Sequence, residues 1–202
     1  KAVALDKTGT ITEGKPKLVA SRLLDPAADE AAIFAIAASI AGRSDHPVSK
    51  AIAEGLEREH QPVGGFRALP GRGVQAVHEG HSYVLGNHRL IEEQGLCSPA
   101  LEAELKQHEE AGRTVTLLAS GQAVLALFAV ADTIKPSSKA AMAELRALGI
   151  TPVMLTGDNA ATARAIGLHA GIDDVRGSLL PEEKLDAIKT LQQRHGMAGM
   201  AG

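Results

Sequence analysis

The sequence predicts an α/β protein: a doubly wound domain on a parallel sheet, carrying an inserted α+β domain built on an antiparallel sheet. Three observations lead there. The apolar run Ala2-Val3-Ala4-Leu5 stops at Asp6 and the turn-rich Lys7-Thr8-Gly9-Thr10 follows. From Ala129 onward, strand-like and helix-like stretches alternate at the lengths of βαβ units, which require a parallel sheet covered on both faces. Between about 18 and 128 the pattern changes to helices mixed with short alternating runs. The simplest assembly joins residues 1–17 to 129–202 as one domain and inserts 18–128 after its first strand.

The elements follow in order. Residues 1–17 hold one strand, the Asp6 loop and a polar exit through Gly14-Lys15-Pro16. Residues 29–41 are apolar and alanine-rich, and 47–59 are amphipathic, with Pro47 suited to a first helical turn. Residues 74–77, 82–85, 114–118 and 123–128 read as short strands. Between them a helix over 99–111 is closed by Gly112. Beyond 129 the spacing predicts a helix over 136–148, a strand over 151–155 and a helix from 160 to about 169. A short strand near Val175, a helix over 181–194 and a final strand complete the chain, which shows no internal repeat or low-complexity segment.

Composition narrows the function. With 45% hydrophobic and 22% charged residues, the 202-residue chain has enough apolar side chains for a core. A net charge of −3 gives no basic face for nucleic acid, and 2% aromatics without tryptophan leave no stacking platform for bases. The single cysteine, Cys97, excludes an internal disulfide and any CxxC metal site. No window approaches roughly eighteen uninterrupted apolar residues, so neither a membrane span nor a signal peptide is expected. The chain starts inside a strand at Lys1 and stops in a strand-like run ending on Gly202, as an excised piece of a larger protein would.

Asp6 sits at the C-terminal end of a buried strand, where open α/β sheets keep their reactive groups. A carboxylate there can attack a phosphoryl group and form an aspartyl-phosphate, splitting one hard displacement into two easier ones. Lys7 adds positive charge, Thr8 and Thr10 supply donors, and Gly9 permits a tight turn. Thr156-Gly157-Asp158-Asn159 ends the next strand of the presumed sheet, so the Thr156 hydroxyl and nearby amides could bind phosphoryl oxygens. Asp158 is better placed to hold nucleotide or order the loop than to attack. Gly71-Arg72-Gly73-Val74-Gln75-Ala76 fits the dinucleotide fingerprint, but that needs a strand before and a helix after. Pro70 precedes it and an alternating run follows, so the fingerprint is set aside.

The run Asp6-Lys7-Thr8-Gly9-Thr10-Ile11-Thr12 resembles the phosphorylation signature of P-type ATPases, ion pumps with a haloacid dehalogenase-like, Rossmann-type fold. Phosphatases and mutases of that superfamily place a second aspartate two residues after the nucleophile. Thr8 stands there instead and cannot act as a base near neutral pH. Residues 156–159 match the pumps' TGDN, and Lys184 in Pro181-Glu182-Glu183-Lys184 matches the lysine that pairs with the aspartyl-phosphate. His46-Pro47, Gly71-Arg72-Gly73-Val74 and Gly86-Asn87 together resemble the nucleotide-binding domain of the heavy-metal (P1B) class.

The resemblance implies catalytic roles for Asp6, Lys7, Thr8, Thr156 and Lys184. It implies nucleotide contacts from His46, Gly71, Gly73, Val74, Gly86, Asn87, Asp132, Gly157 and Asp158. His46 reads equally as a helix-start residue, and Asp132 equally as one half of a hinge salt bridge. Mg²⁺ is expected on Asp6 and the Thr8 carbonyl, together with a Gly-Asp-Gly-x-x-Asp loop whose first glycine would fall at Gly202. Those two ligands alone are too few for a cation wanting six oxygens, so this chain by itself should be a poor ATPase. Many members carry a glutamate five residues before the histidine, where this chain has Ala41; ATP binding should weaken accordingly. The stretches 85–90 and 96–99 lean toward zinc, cadmium and lead exporters.

The expected function is therefore that of the ATP-binding, autophosphorylating cytoplasmic domains of a heavy-metal pump. The partners would be its own transmembrane and actuator domains, at the cytoplasmic face of the membrane, with the transported metal bound elsewhere. Two other readings stay open: a stand-alone phosphatase of the same fold, which would need an acid at position 8, and a catalytically silent nucleotide-binding module, which would make Asp6 dispensable.

Overall fold

Two sheets of opposite hydrogen-bonding logic organise the chain. The computed structural model describes residues 1–121 and 123–202. Its elements begin with β1 (Ala2–Asp6), β2 (Lys17–Leu23), α1 (Glu30–Ala41), α2 (Pro47–Leu56), β3 (Gly64–Leu69) and β4 (Gly73–His78). They continue with β5 (His81–Asn87), α3 (His88–Glu93), α4 (Pro99–Glu110), β6 (Thr114–Ser120) and β7 (Ala123–Ala131). The last are α5 (Pro136–Ala147), β8 (Thr151–Leu155), α6 (Ala160–Ala170), β9 (Asp174–Arg176), α7 (Pro181–His195) and β10 (Ala198–Ala201). The chain divides into one unit of Lys1–Lys15, Glu109–Gly112 and Asp132–Gly202 and another of Pro16–His108 and Arg113–Ala131.

The first unit is a four-stranded sheet in the order β10-β1-β8-β9 with every pair parallel. Parallel neighbours need long crossovers; α6 joins β8 to β9 and α7 joins β9 to β10. Alternate residues of each strand face opposite sides. Leu5 and Met154 pack with Met142 of α5 and with Ala163 and Ile166 of α6. Ala2, Ala4, Val153 and Leu155 pack with Ala187 and Leu191 of α7. Both faces are thus covered, which explains why β1 and β8 read as continuous apolar runs.

The second unit is a six-stranded sheet in the order β2-β7-β6-β5-β4-β3, antiparallel throughout. One face carries α1 and α2, whose Phe34, Ile40 and Ile52 pack on Val74, Leu85, Leu118 and Phe128. Phe34 meets Phe128 edge-to-face with ring centroids 5.6 Å apart. The other face is covered by Ile91 of α3 and Leu101 and Leu105 of α4, against Val115, Leu117 and Leu127.

Three elements escape the sequence pattern. A register shift between Leu18 and Ala20 breaks the alternation that would reveal β2. β3 opens on Gly64-Gly65 and shifts register before Arg67, and the six-residue α3 is too short to show a helical period. The helix expected over 47–59 stops at Leu56, because Glu57 turns left-handed at φ 47° and ψ 44°. Lys17 pairs with Ala131, which carries the second sheet outward on both strands where the pattern suggested crossings near 18 and 128.

Phe128 is fully buried at the centre of the larger core. Truncation to alanine should therefore cost about 3–5 kcal/mol through lost burial and the cavity left behind. Urea denaturation of the purified chain checks this; a loss under about 1 kcal/mol would contradict the packing described.

Candidate functional site

The parallel pairing of β1 with β8 sets Asp6 opposite Leu155, so the loops after both strands leave the same sheet edge. After Asp6 the chain makes a wide turn: the Lys7 carbonyl accepts both the Thr12 amide at 3.0 Å and the Thr12 hydroxyl at 3.1 Å. Gly9 at φ +78° sits inside it, a conformation that side-chain-bearing residues rarely adopt. The turn is held from outside by the Lys135 ammonium on the Gly9 carbonyl and the Ser138 hydroxyl on the Ile11 carbonyl.

Four charged side chains form two pairs here. Lys184 Nζ lies 2.8 Å from Asp6 Oδ1, with both side chains partly exposed. Lys7 Nζ lies 2.7 Å from Asp158 Oδ2, and these two are buried to 9% and 11% exposure. Lys184 is placed by the start of α7, where Pro181 takes the first turn and the Leu180 amide donates to the Glu183 carboxylate at 2.7 Å. Asp158 also accepts the Thr156 hydroxyl at 3.2 Å and returns its own amide to that oxygen at 3.1 Å. Asn159 caps α6 by accepting the Thr162 amide at 2.9 Å. Thr8 is exposed and extended.

The structure brings Asp6, Lys7, Thr156, Gly157, Asp158 and Lys184 together and refines several expectations. The Thr156 hydroxyl, expected to meet phosphoryl oxygens, is buried and gives its proton to Asp158. Asp158 orders the loop through Lys7. Asp132 is no half of a hinge salt bridge here: it accepts the Thr12 hydroxyl at 2.5 Å and the Lys15 amide at 3.2 Å, clasping the outgoing and returning segments. Lys135 and Asn159 carry no role of their own in the sequence reading, where they stand only beside Asp132 and within TGDN.

In the second unit the glycine-rich residues also converge. Gly73 pairs with Gly86 across β4 and β5. A Cβ on Gly73 would lie 2.3 Å from the Leu85 carbonyl oxygen, so no side chain fits. Asn87 donates to the Gly71 carbonyl at 2.9 Å and its amide N–H to that of Arg72 at 2.8 Å, while its Oδ1 caps α3. Val74, expected at the nucleotide, buries its side chain in the core, and Ala41 lies in the same core at 0% exposure. His46 caps α2, its Nδ1 accepting the Val48 amide at 3.3 Å. That is the helix-start role.

The haloacid dehalogenase-like hydrolase family matches residues 1–202. A probable cadmium-transporting ATPase of Staphylococcus aureus is 37% identical over 210 residues, spanning 100% of this chain and 26% of that protein. A copper-transporting P-type ATPase of Rhizobium leguminosarum bv. viciae is 38% identical over 201 residues, 98% of this chain and 24% of that protein. The chain thus spans about a quarter of these relatives. A solved catalytic domain of the CPx-ATPase CopB-B shares the fold at a TM-score of 0.77 and 21% identity, covering 100% of this chain and 70% of that one.

The two ion pairs should respond differently to mutation. Lys7→Met takes the ammonium away from a nearly buried carboxylate, a loss of about 3–5 kcal/mol. Lys184→Met removes a half-exposed pair worth less than about 1 kcal/mol. Thermal melts of both variants check the contrast, which equal losses would overturn.

Proposed function

The chain belongs to the haloacid dehalogenase-like hydrolases, and we propose that it is the phosphorylation and nucleotide-binding part of a heavy-metal-transporting P-type ATPase. Residues 1–17 and 129–202 serve as the phosphorylation domain, and 18–128 as the nucleotide-binding domain. The observation that carries the reading is the 2.8 Å pairing of Lys184 with Asp6 across 178 positions of sequence. It sets a fixed cation on the one carboxylate that ends β1.

Asp6 attacks the γ-phosphorus of ATP in line, forming an Asp6–phosphate bond as the bond to the bridging oxygen breaks and ADP leaves. Lys184 offsets the negative charge gathering on the transferred oxygens. Lys7, held by Asp158, keeps the loop after β8 in place while the acceptor changes charge. Thr8 supplies no base for water, so the acyl-phosphate persists. The Asp6 carboxylate and the Thr8 carbonyl would supply part of the oxygen set for Mg²⁺ arriving on phosphate oxygens, with the expected Gly-Asp-Gly-x-x-Asp loop supplying more. When bound the cation neutralises phosphate charge. The inserted domain holds the nucleotide through His46 and the backbone at Gly71, Gly73 and Gly86. In the full-length protein the energy stored at Asp6 passes to transmembrane and actuator domains that move the metal ion, with this chain at the cytoplasmic face. Among the described residues no helix is long and apolar enough to cross a membrane.

In the full-length protein, ATP should leave an acid-stable, hydroxylamine-labile phosphate on the wild type and none on Asp6→Asn. Persistent labelling of that variant would overturn the assignment. The histidine needs a finer experiment, because it is also a cap. His46→Asn keeps a good N-cap but removes the ring. If His46 stacks on adenine, this variant keeps its melting temperature and loses about 1–2 kcal/mol of ATP affinity by calorimetry, the scale of one stacked base. Unchanged affinity would leave His46 with the cap alone.

A further inference from the structure

A second cluster of chemistry lies in the second unit, and it begins one residue after Asn87. His88 opens α3, Cys97 sits in the loop after it, and Glu102 lies in the first turn of α4. One ligand atom from each of the three lies within 4.8 Å of the others. We propose that His88, Cys97 and Glu102 form a binding site for a divalent ion of borderline softness, Zn²⁺ or Cd²⁺.

The geometry is that of a site held together by protons. His88 Nε2 lies 3.1 Å from Glu102 Oε1, and the Cys97 thiol also bonds that carboxylate. Two donors thus converge on one acceptor. These hydrogen bonds, His88's first, hold the Glu102 carboxyl below its ordinary value despite partial desolvation. Zinc bonds nitrogen and sulfur at about 2.0–2.3 Å, and atoms no more than 4.8 Å apart reach one ion at that distance by small side-chain rotations.

The donor set selects the ion. One thiolate and one imidazole suit Zn²⁺ and Cd²⁺ and disfavour Mg²⁺, which wants oxygen alone. Three protein ligands leave a fourth position for water. On binding, Cys97 releases its proton to solvent and binds as thiolate, while the His88 ring moves its proton to Nδ1; affinity therefore rises with pH. The scaffold is firm: Ile91 and Leu105 are fully buried beneath the site, and Leu96 and Cys97 pack on the same cluster. His88 and Glu102 stay reachable, with side-chain exposures of 21% and 44%.

Titration of the whole chain with Cd²⁺ tests this. The expected result is about one equivalent bound with an ultraviolet thiolate-to-metal charge-transfer band, a raised melting temperature as for any ligand of the folded state, and no competition from excess Mg²⁺. Cys97→Ser should abolish the band while melting like the metal-free wild type. His88→Gln and Glu102→Gln should each weaken binding by more than about tenfold, the loss that even outer-shell changes reach. No band in the wild type, displacement by Mg²⁺, or wild-type affinity in both the His88 and Glu102 variants would overturn the site, the last outcome meaning a thiol acting alone. Should Cys97→Ser unfold, the other two affinities decide the matter by themselves.

Discussion

The register of β1 against β8 is the constraint on which the candidate site rests. Because the two strands run parallel with Asp6 opposite Leu155, the loops that follow them must leave the same sheet edge, and the groups they carry cannot be separated. Parallel pairing in turn requires both faces to be covered by crossover helices. The same helix that shields Ala4 and Leu155 with Leu191 presents Lys184 to Asp6. Packing and chemistry are here two uses of α7, and the apolar face of that helix fixes where its lysine stands.

The charges divide the work by burial. Lys7 and Asp158 are nearly closed off from solvent and hold each other; such pairs are strongly destabilising to break and contribute mainly a fixed arrangement. Lys184 and Asp6 stay within reach of solvent, as a group that must receive a substrate has to. The more buried pair shapes the loop, and the more open one leaves the Asp6 carboxylate accessible at the sheet edge. Asp132, between Thr12 and Lys15, performs a third task and keeps the point of chain exit closed upon the point of return.

What the sequence made legible was whatever has a local cause. The 151–155 strand, the helix beginning at Pro136 and the one beginning at Pro181 were readable because apolar periodicity, a proline start and a glycine end coincide there. Asp6, Thr156 and Lys184 were readable because each stands at the end of a strand or the start of a helix within a recognisable run. Less legible was anything decided by a distant partner. Val74 looked like part of a glycine loop, yet its side chain belongs to the core. Asp132 looked like an ion-pairing residue, yet a threonine hydroxyl 120 positions away claims it. β2 and β3 were hidden because their irregular register is imposed by β7 and β4. Cys97 gave no hint of His88 and Glu102, since the loop between α3 and α4 alone brings them together.

Ala41 carries a consequence for which substitutions the chain accepts. It lies at 0% exposure among the residues that pack α1 against the larger sheet. A glutamate there would bury an unpaired charge, at a cost of several kcal/mol, unless α1 also turned or its neighbours shrank. The packing of α1, and not the chemistry of any ligand, therefore decides what position 41 can carry.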